Sequence, residues 1–156
     1  MAKFKLELPN EIIKQFETIN KNTTEIFGEM TKAGAEVVAN NMKNNAPDTI
    51  KKYVKTTVVY RTPTNDGINT KAYVKGYIPF SNPNRKGFTR KGGSGKAYTS
   101  TEGVPAEFLG NLYEYGRSTA PFPKHPFLRK SFKKKEIEDA MLKAQKKASG
   151  GLLDDE

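Results

Sequence analysis

Across residues 9–46 apolar side chains return every three or four positions: Ile12/Ile13, Phe16, Ile19, Ile26/Phe27, Met30, Ala33/Gly34, Val37/Val38 and Met42. That period belongs to an amphipathic helix. Thr23 and Thr24 interrupt the stripe and predict a bend or break near Asn22. Unbroken, such a helix would be about 55 Å long at ~1.5 Å per residue, longer than a small domain is wide, so part of it should meet another subunit. Pro47 stops it, because the residue before a proline is pushed out of the helical region. Residues 52–62, rich in Val, Thr and Tyr, read as a strand, and residues 71–80 as its partner. The turn Thr64-Asn65-Asp66-Gly67 between them makes a hairpin.

Residues 81–105 show no period and predict a long flexible basic loop between strands, since excursions of more than about 12–15 residues are usually functional or disordered. Residues 107–115 read as a further strand, with Leu112 and Glu114 on one face and Tyr113 and Tyr115 on the other. Gly116 ends it where a left-handed or bulged backbone is expected. Pro121, Pro123 and Pro126 then stiffen the connection, and Pro126 stands where a helix can begin. Phe127/Leu128, Phe132, Ile137, Ala140/Met141, Ala144 and Ala148 mark a second helix, which Ser149-Gly150-Gly151 ends. The expected fold class is α+β: a long N-terminal helix, a three- to four-stranded antiparallel sheet with the basic loop, and a C-terminal helix packed on the sheet. One domain should cover residues 1–148, with 149–156 a frayed tail.

Composition sharpens this picture in two ways. The chain has 156 residues and is 35% hydrophobic with Tyr included. With Tyr left out and Gly counted, the apolar share stays below the roughly 45–50% usual for a self-sufficient domain. A thin core that leans on neighbours is expected. The net charge of +10 is also uneven: residues 49–104 hold eleven Lys/Arg against only Asp66 and Glu102. Absence of cysteine excludes disulfides, thiolate zinc sites and a thiol nucleophile, and suits assembly in a reducing cytoplasm. No run approaches the ~18 apolar residues of a membrane span, and charges within the first seven residues argue against a signal peptide.

Candidate chemistry is sparse. Gly92-Gly93-Ser94-Gly95-Lys96 fails as a phosphate loop, because Arg90 stands where the first glycine is needed and Ala97 where Ser or Thr would hold magnesium. His125 is the single histidine, without a cysteine or adjacent carboxylate to complete a metal site or triad, and reads as a turn residue that packs or bonds locally. Glu107 and Glu114, an odd distance apart on a strand, would face opposite ways. Glu114 is better suited to a salt bridge with Arg117 or Arg129. Lys133-Lys134-Lys135 fans around a helix and reads as a solvated face. No catalytic residue, metal ligand or cofactor is expected.

The segment from Tyr113-Glu114-Tyr115-Gly116 through the proline-broken loop to Pro126-Phe127-Leu128-Arg129, opening a basic C-terminal helix, resembles the tail-completion (head–tail joining, neck) proteins of tailed bacteriophages. A second block, Asn45-Ala46-Pro47-Asp48-Thr49, keeps most of another pattern of that family, with Ile50 in place of its glycine. The resemblance runs from Ile12 to Ala148. It implies a structural virion protein that forms a ring, probably of six copies, between a head-side connector or stopper protein and a tail terminator or tail tube protein. Tyr113, Glu114, Tyr115, Arg117, Phe127, Leu128 and Arg129 would then form the ring interface or junction. Arg85, Lys86, Arg90, Lys91 and Lys96 would touch either a neighbouring protein or, transiently and without sequence preference, the genomic DNA. The competing reading from charge alone is a basic nucleic-acid-binding module. An enzyme such as a nuclease would need a cluster of His or carboxylates that the chain lacks.

Overall fold

A computed structural model describes residues 10–64, 67–91, 97–117, 122 and 124–150. Helix α1 (Asn10–Asn45) runs unbroken for 36 residues. The bend expected near Asn22 is not formed. Helical Thr24 instead accepts a hydrogen bond from Arg61 Nη2 at 2.9 Å, so its hydroxyl is used without disturbing the helix. Pro47 ends the run as expected and precedes the single turn α2 (Asp48–Lys51). Ile50, at the position of the resembling family's glycine, is fully buried and serves as a core anchor rather than a turn residue.

The two predicted strands pair as foreseen but in pieces. Strand β1 (Val54–Thr56) pairs with β4 (Ala72–Val74), and β2 (Tyr60–Thr62) with β3 (Gly67–Asn69), all antiparallel. Between the two ladders Thr57-Val58-Val59 face only Thr70-Lys71, a bulge that leaves Val58 84% exposed. Residues 65 and 66 of the predicted turn lie outside the described residues. Strand β5 (Tyr77–Ile78) pairs with β8 (Val104–Pro105), and β6 (Phe88–Lys91) with β7 (Ala97–Ser100). The region expected to be one long loop therefore contains a hairpin. Its tip, residues 92–96, lies outside the described residues. The sheet is small, a set of two-stranded antiparallel pairs.

Residues 106–115 correct the sequence reading outright: they form helix α3 (Ala106–Tyr115), not a strand. The C-terminal helical region is also interrupted, into α4 (Leu128–Ser131) and α5 (Lys134–Ala148), where Phe132 and Lys133 take extended backbone. Ile137 and Met141 of α5 pack over Gly34, and Asn41 donates to Glu136 at 2.9 Å, so α5 runs back along α1 rather than chiefly on the sheet. One core gathers these layers: Ala39 and Met42 of α1, Ala46 just beyond its end, Ile50, Val54 and Phe127. Leu109, Tyr113 and Leu128 close it from the α3–α4 side. Among the described residues no helix is long and apolar enough to cross a membrane.

Candidate functional site

Helix α3 presents Ala106, Gly110 and Glu114 to the interior at four-residue steps, so a carboxylate occupies the last turn of a buried stripe. Gly116 then reverses the chain with φ +81°, the positive value expected there, while its N–H still bonds Leu112 O at 2.8 Å. The chain returns at His125, whose N–H donates to Tyr113 O at 2.8 Å. Of the three prolines expected to stiffen this connection, Pro121 and Pro123 lie outside the described residues, as do residues 118–120.

Glu114 is the hub of the junction. One carboxylate oxygen accepts the main-chain N–H groups of Phe127 and Leu128, each at 2.8 Å. The other accepts Arg129 N–H at 3.4 Å and Arg129 Nε at 2.7 Å. These N–H groups open α4 and have no partner inside the helix, so a side chain from α3 supplies it. Burial alone would push the Glu114 carboxyl up. Arg129 and the backbone donors outweigh burial and hold it below the usual range. The Arg129 guanidinium lies over the Tyr115 ring, 5.7 Å from its centre, and the Tyr113 ring meets Phe122 edge-on at 4.9 Å.

A second set of bonds ties the same junction to α1. Ser131, fully buried, donates to Phe127 O and accepts Asn45 Nδ2 at 3.2 Å. His125 Nε2 lies 3.1 Å from Asn45 O, so the histidine bonds to a helix end 80 residues away and not locally. Of the seven predicted junction residues, Tyr113, Glu114, Tyr115, Phe127, Leu128 and Arg129 are brought together here. Arg117 is exposed, and the ion pair of Glu114 goes to Arg129. Asn45 and Ser131 were missed; Asn45 stood in the Asn-Ala-Pro block, the one sequence signal that could have flagged it.

With four donors on its two oxygens, Glu114 is committed as an acceptor and is not poised to take a proton from a substrate. Glu107 is exposed two helical turns earlier, about 10 Å away along the axis, so the two form no acid–base pair. Among the described residues no three His, Cys, Asp or Glu side chains converge as a metal site would require.

The predicted basic contacts sit on the β6–β7 hairpin and its approach. Arg90 stacks 5.1 Å from the centre of Phe108 on α3, and Phe88 packs against the same ring at 5.2 Å. Arg85 lies over Phe80 at 5.1 Å and Phe88 at 6.0 Å, and its Nε donates to Gly87 O. Tyr98 bonds Tyr77 through their hydroxyls at 2.9 Å. Lys86 is exposed, Lys91 pairs with Ala97 in the ladder, and Lys96 lies outside the described residues. Two of the five cations thus anchor the hairpin as well as charging it, a role that their aromatic neighbours make and that sequence spacing does not reveal.

A family model described as "Bacteriophage HK97-gp10, putative tail-component" matches residues 10–116, from the first residue of α1 to the glycine that closes α3. A search of curated proteins and one of solved structures each returned no match. The family match spans well over half of the chain and covers α1, all the strand pairs and α3. This protein belongs to the HK97-gp10-like family of phage tail components, structural proteins of the virion.

Proposed function

We propose that the protein is a neck-ring subunit: copies associate head-to-tail in a closed ring, six in number, between the head-side connector or stopper and the tail terminator or tube. The genome passes through its lumen. The observation that carries this reading is the placement of large apolar side chains. Among the described residues nine hydrophobic residues are buried, and four of them are alanines, so the subunit's own core is thin. Meanwhile Phe27, Val58, Tyr115, Phe132 and Leu142 are 48–84% exposed, spread over α1, the β1–β2 bulge, the end of α3, the α4–α5 link and α5. Burying such a side chain is worth about 1.5–3 kcal/mol, so leaving five uncovered is costly unless a neighbour covers them. A ring built from two different surfaces per subunit uses apolar groups on several elements at once.

In this ring the hairpin cations Arg85, Lys86, Arg90, Lys91 and Lys96 meet phosphates of the passing DNA or the acidic side of an adjoining ring. Contacts to phosphate carry no base readout and let the duplex slide. The Glu114 junction fixes the angle between α3 and the C-terminal helices, and so the shape of the subunit edge.

Native mass spectrometry of the purified protein, with electron microscopy of labelled virions, tests the reading. Six-fold assemblies and label confined to the head–tail boundary support it. Label distributed along the tail, or one copy per particle, overturns it. Tight binding of the monomer to nucleic acid, lost steeply as salt rises, would favour the nucleic-acid module instead.

A further inference from the structure

The outer face of the β1–β4 ladder is charged. Val54, Ala72 and Val74 point to the core, so by alternation Tyr53, Lys55, Lys71, Tyr73 and Lys75 point the other way. Lys55 stands opposite Tyr73, and Lys75 N–H bonds Tyr53 O, so lysine and tyrosine alternate both along and across the two strands. Lys52 extends the set, its Nζ 5.2 Å from the centre of the Tyr53 ring, and Lys71 Nζ lies 5.3 Å from that of Tyr60 on β2. Lys52, Lys55, Lys71 and Lys75 are all exposed. Residues 49–64 and 67–78 contain no Asp or Glu. None of these four lysines pairs with a carboxylate among the described residues, whereas Lys32, Lys51, Lys133 and Lys134 each do. Glu36 of α1 borders Lys55 across a cleft, and Lys43 offsets it there.

Like charges gathered on one face repel one another and cost the free subunit stability, so the face suits an anionic partner. Its make-up says which. Protein–protein interfaces are depleted in Lys and favour Arg, and these four cations are all Lys. The nearby Arg61 turns away to Thr24 of α1. An ammonium is a point charge that serves a phosphate without the forked geometry that a carboxylate rewards. The Tyr53 ring lies against Gly76, where a Cβ would come within 2.7 Å of it, so the ring follows the ladder and leaves the lysine heads beyond it. Such a surface meets a phosphate backbone and does not reach for bases. We propose that the outer face of β1–β4 binds the phosphates of double-stranded DNA through Lys52, Lys55, Lys71 and Lys75. Diagonal neighbours on one face of a ladder are about 7–8 Å apart, so flexible lysines reach successive phosphates along a strand. They read no bases, and the duplex can slide past them. The proposal rests on the ring reading for where this face sits, at the lumen.

The test is the salt dependence of binding to a short labelled DNA duplex, read by fluorescence anisotropy on the full chain. Binding should be no tighter than about 10⁻⁶ M at physiological salt, and log K should fall against log salt by about 0.9 for each phosphate engaged. A chain carrying Lys52→Gln, Lys55→Gln, Lys71→Gln and Lys75→Gln together should show a slope shallower by about 3–4, and Lys75→Gln alone by about 0.9. The single variant keeps the test open should the fourfold chain not fold. A control that removes equal charge from the C-terminal helices, with Lys130→Gln, Lys135→Gln, Lys143→Gln and Lys147→Gln, should move the slope by less than about 1. An unchanged slope in the sheet variants, an equal loss in the control, or no binding at low salt overturns the proposal. Native mass spectrometry of the same samples reads the ring separately. Six-fold assemblies with an unchanged slope overturn the DNA face and leave the ring standing. The expected slopes from a chain that never assembles uphold the face and overturn the ring around it.

Discussion

Replacing Glu114 separates a structural acid from a decorative ion pair. Its carboxylate satisfies the N–H groups of Phe127 and Leu128 and pairs with Arg129, while the residue itself is fully buried. Glu114→Ala leaves buried donors without an acceptor, at about 1–3 kcal/mol each, and opens a cavity beside Phe127. A loss of about 3–5 kcal/mol is expected. The Arg129 side chain is 63% exposed, so solvent recovers most of its share, and Arg129→Ala should cost only about 1 kcal/mol. Glu114→Gln keeps one oxygen but turns an amide against donors, with a loss of about 1.5–3 kcal/mol. Urea unfolding followed by circular dichroism at several pH values reads all three. The pH dependence has a definite sign. Because the folded-state pKa lies below the ordinary 4.5, the carboxylate's contribution is complete above that value. It is lost as pH falls through the lower folded value. The gap between wild type and Glu114→Gln should be constant near neutrality and close in acid. A Glu114→Ala loss below about 1 kcal/mol, or a gap that widens in acid, would refute the account of the junction.

Other substitutions probe the remaining layers. Phe127→Ala removes a fully buried ring from the centre of the core and should cost about 3–5 kcal/mol in the same urea experiment. Gly103 has φ +144°, and a Cβ there would collide with the Ile78 carbonyl. Gly103→Ala should therefore cost more than about 2 kcal/mol and break the β5–β8 pair, seen as faster amide exchange at Ile78. Lys86→Glu should change stability by less than about 0.5 kcal/mol yet reduce head–tail joining in a complementation assay. Arg90→Glu should additionally lose the stacking on Phe108, about 0.5–1 kcal/mol, and raise amide exchange in β7. Reversing all the hairpin charges together is thus not a neutral change for folding.

The parts of the fold visible in the sequence are those held by their own periodicity. The stripe of α1 returns along most of the helix, and the first hairpin has a Val-, Thr- and Tyr-rich arm and an alternating arm on either side of an Asp-Gly pair. Helix α3 was misread because Leu112-Tyr113-Glu114-Tyr115 alternates over just four residues, too few to distinguish a strand from a helix. The deciding stripe, Ala106–Gly110–Glu114, contains a glycine and an acid. Nothing in a hydrophobic pattern marks Glu114 as interior, since the groups that make burial tolerable come from Phe127, Leu128 and Arg129 across a loop. The β6–β7 hairpin was hidden for a related reason. Its strands bury almost nothing between them, and the rings that dock it, Phe108 and Tyr77, lie outside it in sequence. The break at Phe132 carries no proline or glycine. Ser131, bonded to Phe127 O and Asn45, ends the turn from outside the local sequence.

The antiparallel seating of α5 on α1 has a consequence for how the protein is made. The ribosome finishes α1 about a hundred residues before Ile137 and Met141 emerge to cover Gly34 and its neighbours. At ~5–20 residues per second that strip stays bare on the nascent chain for roughly 5–20 s. The emerging polypeptide offers a sticky helix to host chaperones, or to sister chains on the same messenger, before its own closing piece exists. A nonsense codon just before Ile137 would remove both covering side chains and leave that strip bare for good, so such truncated chains should be recovered as aggregates.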